Sequence, residues 1–291
     1  MSRIEVLKTC KLFIGGDFPR SESGRHFTPV GKKGKPLGNF CLASRKDFRN
    51  AVVAARLAQK GWSARAAFNR SQILYRIAEM LESRAAQFEA ELVLQGSRRA
   101  AARKEVARSV DLCVCYAGWC DKYQQVFSAV NPVASSHFNF SVPVPVGVVA
   151  AIAPECSALV GLLGTVFPIL AGGNSAVVLA SETKPLSAVA LAEVLATSDL
   201  PGGVVNILTG HREELLPPMA THMDVNAIVA SDLTAAEQTA VHSDSAGNLK
   251  RPVFHATDVA DEESPFTILA TQEIKTTWHP VEASIAGGSS Y

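Results

Sequence analysis

From Gly147 to Val241 the chain alternates short apolar runs with helical patterns: Gly147–Ala153, Ser157–Leu170, Ser175–Leu179, Leu186–Ala196, Val204–Leu208, Glu213–Ala220, Asn226–Ala230 and Thr234–Val241. Strand then helix, repeated four times, is the pattern of a parallel sheet wrapped by right-handed crossovers. It predicts an α/β protein with a Rossmann-like parallel sheet and helices on both faces. Within that stretch, the 26 residues from Cys156 to Ser181 carry no charge, a length that reaches across a bilayer. Pro168 and Gly172-Gly173-Asn174 divide them into two shorter runs, suited to a buried helix and a buried strand, so no membrane span is expected.

The residues before this region read differently. The first 40 or so predict strands and turns, with Gly31, Gly34, Pro36 and Gly38 marking loops. A capped start at Ser44 leads into Ala51, Val52, Ala55 and Leu57. Ile73, Leu74, Ile77, Leu81 and Phe88 then recur at helical spacing, and a third helix is predicted over about Arg103 to Tyr123. His137–Val142 alternates as a strand does, and Pro143 and Pro145 predict that it lies at a sheet edge. After about Gly247 the periodicity fades. Asp258–Ser264 is acidic, Ala270–Pro280 suggests one further strand, and a loose end is expected over Ala286–Tyr291.

The charges are unevenly placed. Residues 1–108 hold 22 of the 28 Lys+Arg and 9 of the 27 Asp+Glu, a balance of +13, while residues 109–291 hold the other 6 bases and 18 acids, a balance of −12. This excludes a uniformly basic nucleic-acid footprint. The arginines of the helical half lack interleaved aromatic residues and a reader motif, so they read as wet helix faces and no nucleic-acid partner is expected. The N-terminus MSRIEVLKTC has no apolar core for a secretory signal, and a cytoplasmic protein is expected. Its six cysteines include no C-x-x-C pair and read as reduced thiols. Cys113, Cys115 and Cys120 do not converge on one helix face, so no metal site is expected.

Generic motifs stop at this point: no G-x-G-x-x-G, Walker, H-E-x-x-H or G-x-S-x-G pattern occurs. Longer segments go further. Phe13-Ile14-Gly15-Gly16, Ser21-Glu22-Ser23-Gly24-Arg25, Ala54-Ala55-Arg56 to Gly61-Trp62-Ser63 and Ile73–Ala78 come in order. They are followed by Tyr116–Lys122, Pro145–Val149, Ala171–Asn174, Ser181-Glu182, Pro185–Ala188 and Pro201–Gly210. In this order and spacing they resemble the aldehyde dehydrogenase superfamily over roughly residues 11–240. Within it, the chain looks like the degenerate C-terminal unit of the family 16 member A1 type.

The resemblance implies an NAD(P)-binding-type domain over residues 11–255, with a helical layer at 44–125, an oligomerisation-type strand at 136–146 and the βα sheet at 147–241. Residues 256–291 then form a degenerate tail, with the catalytic domain missing. Working relatives carry Pro-Trp-Asn-Phe after the first sheet strand, the Asn amide serving an oxyanion. Here that turn is Pro154-Glu155-Cys156-Ser157, and losing such a donor costs roughly 100–1,000-fold in turnover. At a helix start Cys156 would have a lowered pKa, but Glu155 beside it opposes this. The relatives' adenosine-ribose Lys aligns with Leu179, and its companion Glu survives as Glu182, read either as a ribose ligand or as a helix N-terminal residue.

The relatives' Gly-Ser-Thr-x-x-Gly turn becomes Asp232-Leu233-Thr234-Ala235-Ala236-Glu237. A carboxylate about 5 Å from a phosphate charge is worth about 3 kcal/mol of repulsion, roughly a hundredfold in affinity. Glu155, Asp232 and Glu237 are all expected at that mouth. The competing expectation is that these turns end helices in solvent, with Ser231 and Asp232 as N-caps. The general-base Glu aligns with His255, read as a surface or loop residue, and no nucleophilic Cys is assigned. The implied function is therefore a non-catalytic structural or interaction domain with no cofactor. It would pair with a second copy or another aldehyde dehydrogenase unit through residues 136–146. The alternative is part of an NAD(P)-dependent aldehyde oxidoreductase that binds cofactor or works only with a complete dehydrogenase unit.

Overall fold

The computed structural model describes residues 6–255 and 263–281. Strands β1 (Thr9–Cys10), β2 (His26–Phe27) and β3 (Asn39–Cys41) form a small sheet in the order β1-β3-β2. Helices α1 (Arg45–Ser63), α2 (Ala67–Ser83), α3 (Ala85–Leu94), α4 (Arg99–Trp119) and α5 (Tyr123–Phe127) follow. Helix α1 starts where it does because Ser44 and Asp47 form a capping box: the Ser44 hydroxyl accepts the Asp47 N–H at 3.2 Å and the Asp47 carboxylate accepts the Ser44 N–H at 2.8 Å. Its Phe48, Ala51, Val52 and Ala55 recur at helical spacing and are buried. The stretch from Ile73 to Phe88 is two helices rather than one, broken at Arg84.

Strands β4 (Ala129–Asn131) and β5 (His137–Pro145) lead into the main sheet: β6 (Val148–Ile152), α6 (Val160–Ala171), β7 (Ser175–Leu179), α7 (Leu186–Leu195), β8 (Val205–Leu208), α8 (Arg212–Thr221), β9 (Ala227–Ser231), α9 (Ala235–Ser245) and β10 (Arg251–His255). The sheet is parallel throughout, with strand order β10-β9-β6-β7-β8. Val149 and Ala151 of β6 join the core on one face, while Val148, Ala150 and Ile152 join that on the other. Burial on both faces is why these strands read as continuous apolar runs. The uncharged stretch resolves into α6 and β7, and no helix among the described residues is long and apolar enough to cross a membrane.

Two segments depart from the sequence expectation. The periodicity fades after about Gly247, yet Arg251–His255 is a fifth parallel strand in register with Ala227–Ser231. Such an edge strand, opening on Arg251-Pro252, has too few apolar positions to show a period. Strand β5 is not at an edge. It lies between β4 and β11 (Gln272–Pro280), which follows a short helix α10 (Pro265–Leu269). Its prolines are tolerated because the Pro143 carbonyl accepts from the Gln124 side chain, so its donor-less nitrogen faces the short β4 side, where pairing stops at Ser141.

The glycines of two resembling segments meet. Phe13 and Ile207 exchange both backbone hydrogen bonds, at 2.8 and 2.9 Å. At Gly202 a Cβ would stand 2.3 Å from the Gly15 carbonyl oxygen, and Gly16 has φ +93. These residues lay the N-terminal segment along β8; they carry no chemistry. The acidic stretch falls mostly, and the 282–291 end wholly, outside the described residues.

Candidate functional site

The strand order reverses beside β6, which places a crevice at the carboxyl ends of β6 and β9, bordered by the turns that follow β7 and β8. Each turn should present backbone N–H groups to an anion. Here those donors meet the protein's own glutamates.

At the β6 turn, Glu105 reaches across from α4 and accepts the N–H of Leu159 at 2.9 Å and of Val160 at 3.4 Å, with the Ser157 hydroxyl at 3.3 Å. At the β7 turn, Glu155 accepts from the Ser181 hydroxyl (2.7 Å), the Thr183 hydroxyl (2.7 Å) and the N–H groups of Glu182 (2.7 Å) and Thr183 (3.2 Å). At the β8 turn, Glu182 contacts His211 Nδ1 at 2.6 Å and accepts the Arg212 N–H at 3.4 Å. At the β9 turn, Glu237 closes a capping box with Thr234.

The turns are also tied to one another in a ring. Glu155 joins the β6 turn to the β7 turn, and Glu182 joins the β7 turn to the β8 turn. Arg212 donates to the Asp232 carbonyl at 3.0 Å and pairs with Glu237 at 3.2 Å. The Glu155 N–H then donates to the Asp232 carboxylate at 2.9 Å and closes the ring. Burial alone would raise the Glu155 carboxyl, but the donors from Ser181, Thr183 and Glu182 outweigh it and hold the group below the usual carboxylate range. Glu237 behaves alike: burial raises it, and the Thr234 donors and Arg212 bring it down.

Glu155, Asp232 and Glu237 therefore do gather at one mouth, but not as free charges. Arg212, which no motif in the sequence marks, stands between Asp232 and Glu237. The expectation that Ser231 and Asp232 cap a helix in solvent is corrected. Thr234 is the N-cap of α9, Asp232 takes φ +58, and Ser231 ends β9 with a buried hydroxyl that finds no partner among the described residues. Local T-x-x-E spacing at Thr234-Ala235-Ala236-Glu237 is the signal that finds this cap. Glu105 has no such signal, because it lies some 50 residues upstream on another helix.

Cys156 is exposed, four residues before α6 begins, so it is not at a helix start. Its carbonyl accepts from Lys184 at 3.0 Å. Leu179 is buried at the end of β7 between Ile152 and Leu208. His255 ends β10 opposite Ser231 and is a strand residue rather than a loop residue.

A doubly wound α/β domain with its carboxyl-edge crevice defines the broad class. Comparison with known proteins narrows it: the model of the Aldehyde dehydrogenase family matches residues 19–256. The chain belongs to the aldehyde dehydrogenase family. It is 32% identical over 258 residues to 2-hydroxymuconic semialdehyde dehydrogenase of Pseudomonas sp. (strain CF600), covering 85% of this chain and 52% of that protein. It is 27% identical to omega-crystallin of Enteroctopus dofleini, covering 84% and 50%. Among solved structures it superimposes on the NAD+ complex of aldehyde dehydrogenase from Bacillus cereus with a TM-score of 0.81 at 25% identity, covering 86% of this chain and 51% of that one. The chain spans about half the length of the curated relatives it matches.

Proposed function

We propose that this chain is a non-catalytic member of the aldehyde dehydrogenase family, a structural or interaction domain of the degenerate C-terminal unit, family 16 member A1 type. The observation that carries the reading is the ring of turns. The N–H donors that would meet a pyrophosphate already serve Glu105, Glu155, Glu182 and Glu237. A dinucleotide would have to displace four carboxylates that are tethered to the protein itself, so the residues present do not fit NAD(P), and no catalytic step is derived through it. Titration of NAD+ and NADP+ into the purified chain by calorimetry tests this. No heat of binding up to millimolar cofactor supports the proposal, and micromolar binding overturns it.

The partner in this reading is a second copy or a complete aldehyde dehydrogenase unit, docked on the β4–β5–β11 sheet. Val130, Phe138, Ile274 and Trp278 leave half or more of their surface open there, apart from Phe138 at 47%. A groove of about 310 Å³ runs beside Phe138 and Phe140. Such an apolar face is the mark of an interaction surface.

The second reading, part of an NAD(P)-dependent aldehyde oxidoreductase, draws support from the likeness to the NAD+ complex. In it, Glu182 would exchange His211 for the adenosine ribose.

A further inference from the structure

Strand β11 pairs with β5 over its whole length, from Gln272 opposite Pro145 to Pro280 opposite His137, and among the described residues nothing pairs with its other edge. Residues 273–280 are exposed apart from Thr277, which is half-buried. An open edge of this length is a template for another strand. The parity of the ladder says which groups it offers. The Val281 N–H donates to the Ser136 carbonyl at 3.0 Å and the Val146 N–H to the Thr271 carbonyl at 3.4 Å, so the odd-numbered residues of β11 turn their backbone groups to β5. Ile274, Thr276 and Trp278 therefore turn theirs outward.

An antiparallel partner identical to β11 meets it around a two-fold axis that sets one residue opposite itself. Thr276 is the midpoint of Gln272–Pro280, so an axis there gives the longest overlap. In that register Ile274, 55% exposed, lies opposite Trp278 of the second copy, 57% exposed, and both offer outward backbone groups. Glu273 lies opposite His279 and Lys275 opposite Thr277, so no two like charges meet; an axis through Lys275 would set that charge against itself. The ends match as well. The Gln272 carbonyl already accepts from Arg251, and opposite it stands Pro280, which has no N–H to give. The acceptor that is taken meets the residue without a donor.

We infer that β11 pairs edge to edge with the β11 of a second copy, about a two-fold axis at Thr276, joining the two β4–β5–β11 sheets into one. The inference rests on the self-association in the proposed function and adds its edge and register. Charge, parity and the apolar pair at Ile274 and Trp278 select a second copy over an unrelated strand.

Cross-linking of the full chain tests it. Residues that exchange both backbone bonds across antiparallel strands stand about 5.5 Å apart at Cα, within disulfide reach. Thr276→Cys should give a covalent dimer under oxidised glutathione, well above the unsubstituted chain with its own six cysteines. Lys275→Cys and Thr277→Cys should cross-link when mixed and far less when alone. Thr276→Pro removes an outward N–H and leaves the bonds to β5 intact, so it should raise the dissociation constant about tenfold or more with unchanged circular dichroism. A chain that self-associates through Phe138 and Phe140 yet gives no Thr276→Cys dimer overturns the ladder and leaves the proposed self-association standing. A chain that stays monomeric at every concentration overturns both, and cofactor titration judges the non-catalytic reading separately.

Discussion

The backbone N–H of Glu155 donates to the Asp232 carboxylate at 2.9 Å, while the Glu155 carboxylate itself takes four donors from the next turn. One residue therefore bridges three strand ends, and what it holds together can be measured.

Glu155→Ala leaves the donors of Ser181, Glu182 and Thr183 without an acceptor in a half-buried turn. We expect a loss of about 2 kcal/mol, the ordinary cost of stranding buried donors. The midpoint of urea unfolding reads it. A shift within error of zero would show that water replaces the carboxylate freely.

Acid should loosen the ring. Glu155 and Glu237 both have folded values held below the ordinary carboxylate value. A depressed acid contributes stability that is present above the unfolded value, about 4.3, and is lost as pH falls through the folded one. Unfolding midpoints between pH 7 and pH 3 should fall most steeply in the lower part of that range, and Glu155→Gln should flatten the fall.

Lys250 gives the opposite sign at the alkaline end. Its buried amine donates to the carbonyls of Ala220 and His222 at 2.9 Å, closing the C-terminus of α8. Burial pushes it down to about 8, against a weaker pull upward from Asp244. Between that value and the unfolded one, about 10.4, the unfolded chain binds more protons, so stability should rise with pH across that window. Lys250→Met should abolish the rise.

Glu105→Ala removes the acceptor from the first turn of α6 and should cost about 1 kcal/mol, as lost N-caps do. Amide exchange at Leu159 and Val160 should quicken while that of β6 does not.

The interaction face has its own test. Sedimentation should show self-association, or association with a complete aldehyde dehydrogenase unit, that the Phe138→Lys, Phe140→Lys pair abolishes. A concentration-independent monomer, indifferent to the pair and to the added unit, would sink that part of the proposal.

Much of this was legible in the residues. The βα alternation marks the sheet because strands buried on both faces need unbroken apolar runs, as at Val148–Ile152. The crowding of Glu155, Asp232 and Glu237 followed from the family resemblance, which sets their turns around one mouth. What these acids bind was not legible, since Arg212 and Ser181 come from other elements, nor was the part of Glu105, which reaches the β6 turn from α4; only the fold brings them to the crevice. Strand β10 escaped because five residues with a proline show no period, and the place of β5 escaped because its partner lies far along the chain.

That distance matters during synthesis. Ser141 bonds Thr276 across 135 residues, so β5 leaves the ribosome well before the strand that covers one side of it. At about 5–20 residues per second, the wait is roughly 7 to 27 s. Throughout it, a strand bearing Phe138 and Phe140 has an open flank, and its two prolines do not guard it, because they turn their donor-less nitrogens to the β4 side and leave the ladder on the β11 side unbroken.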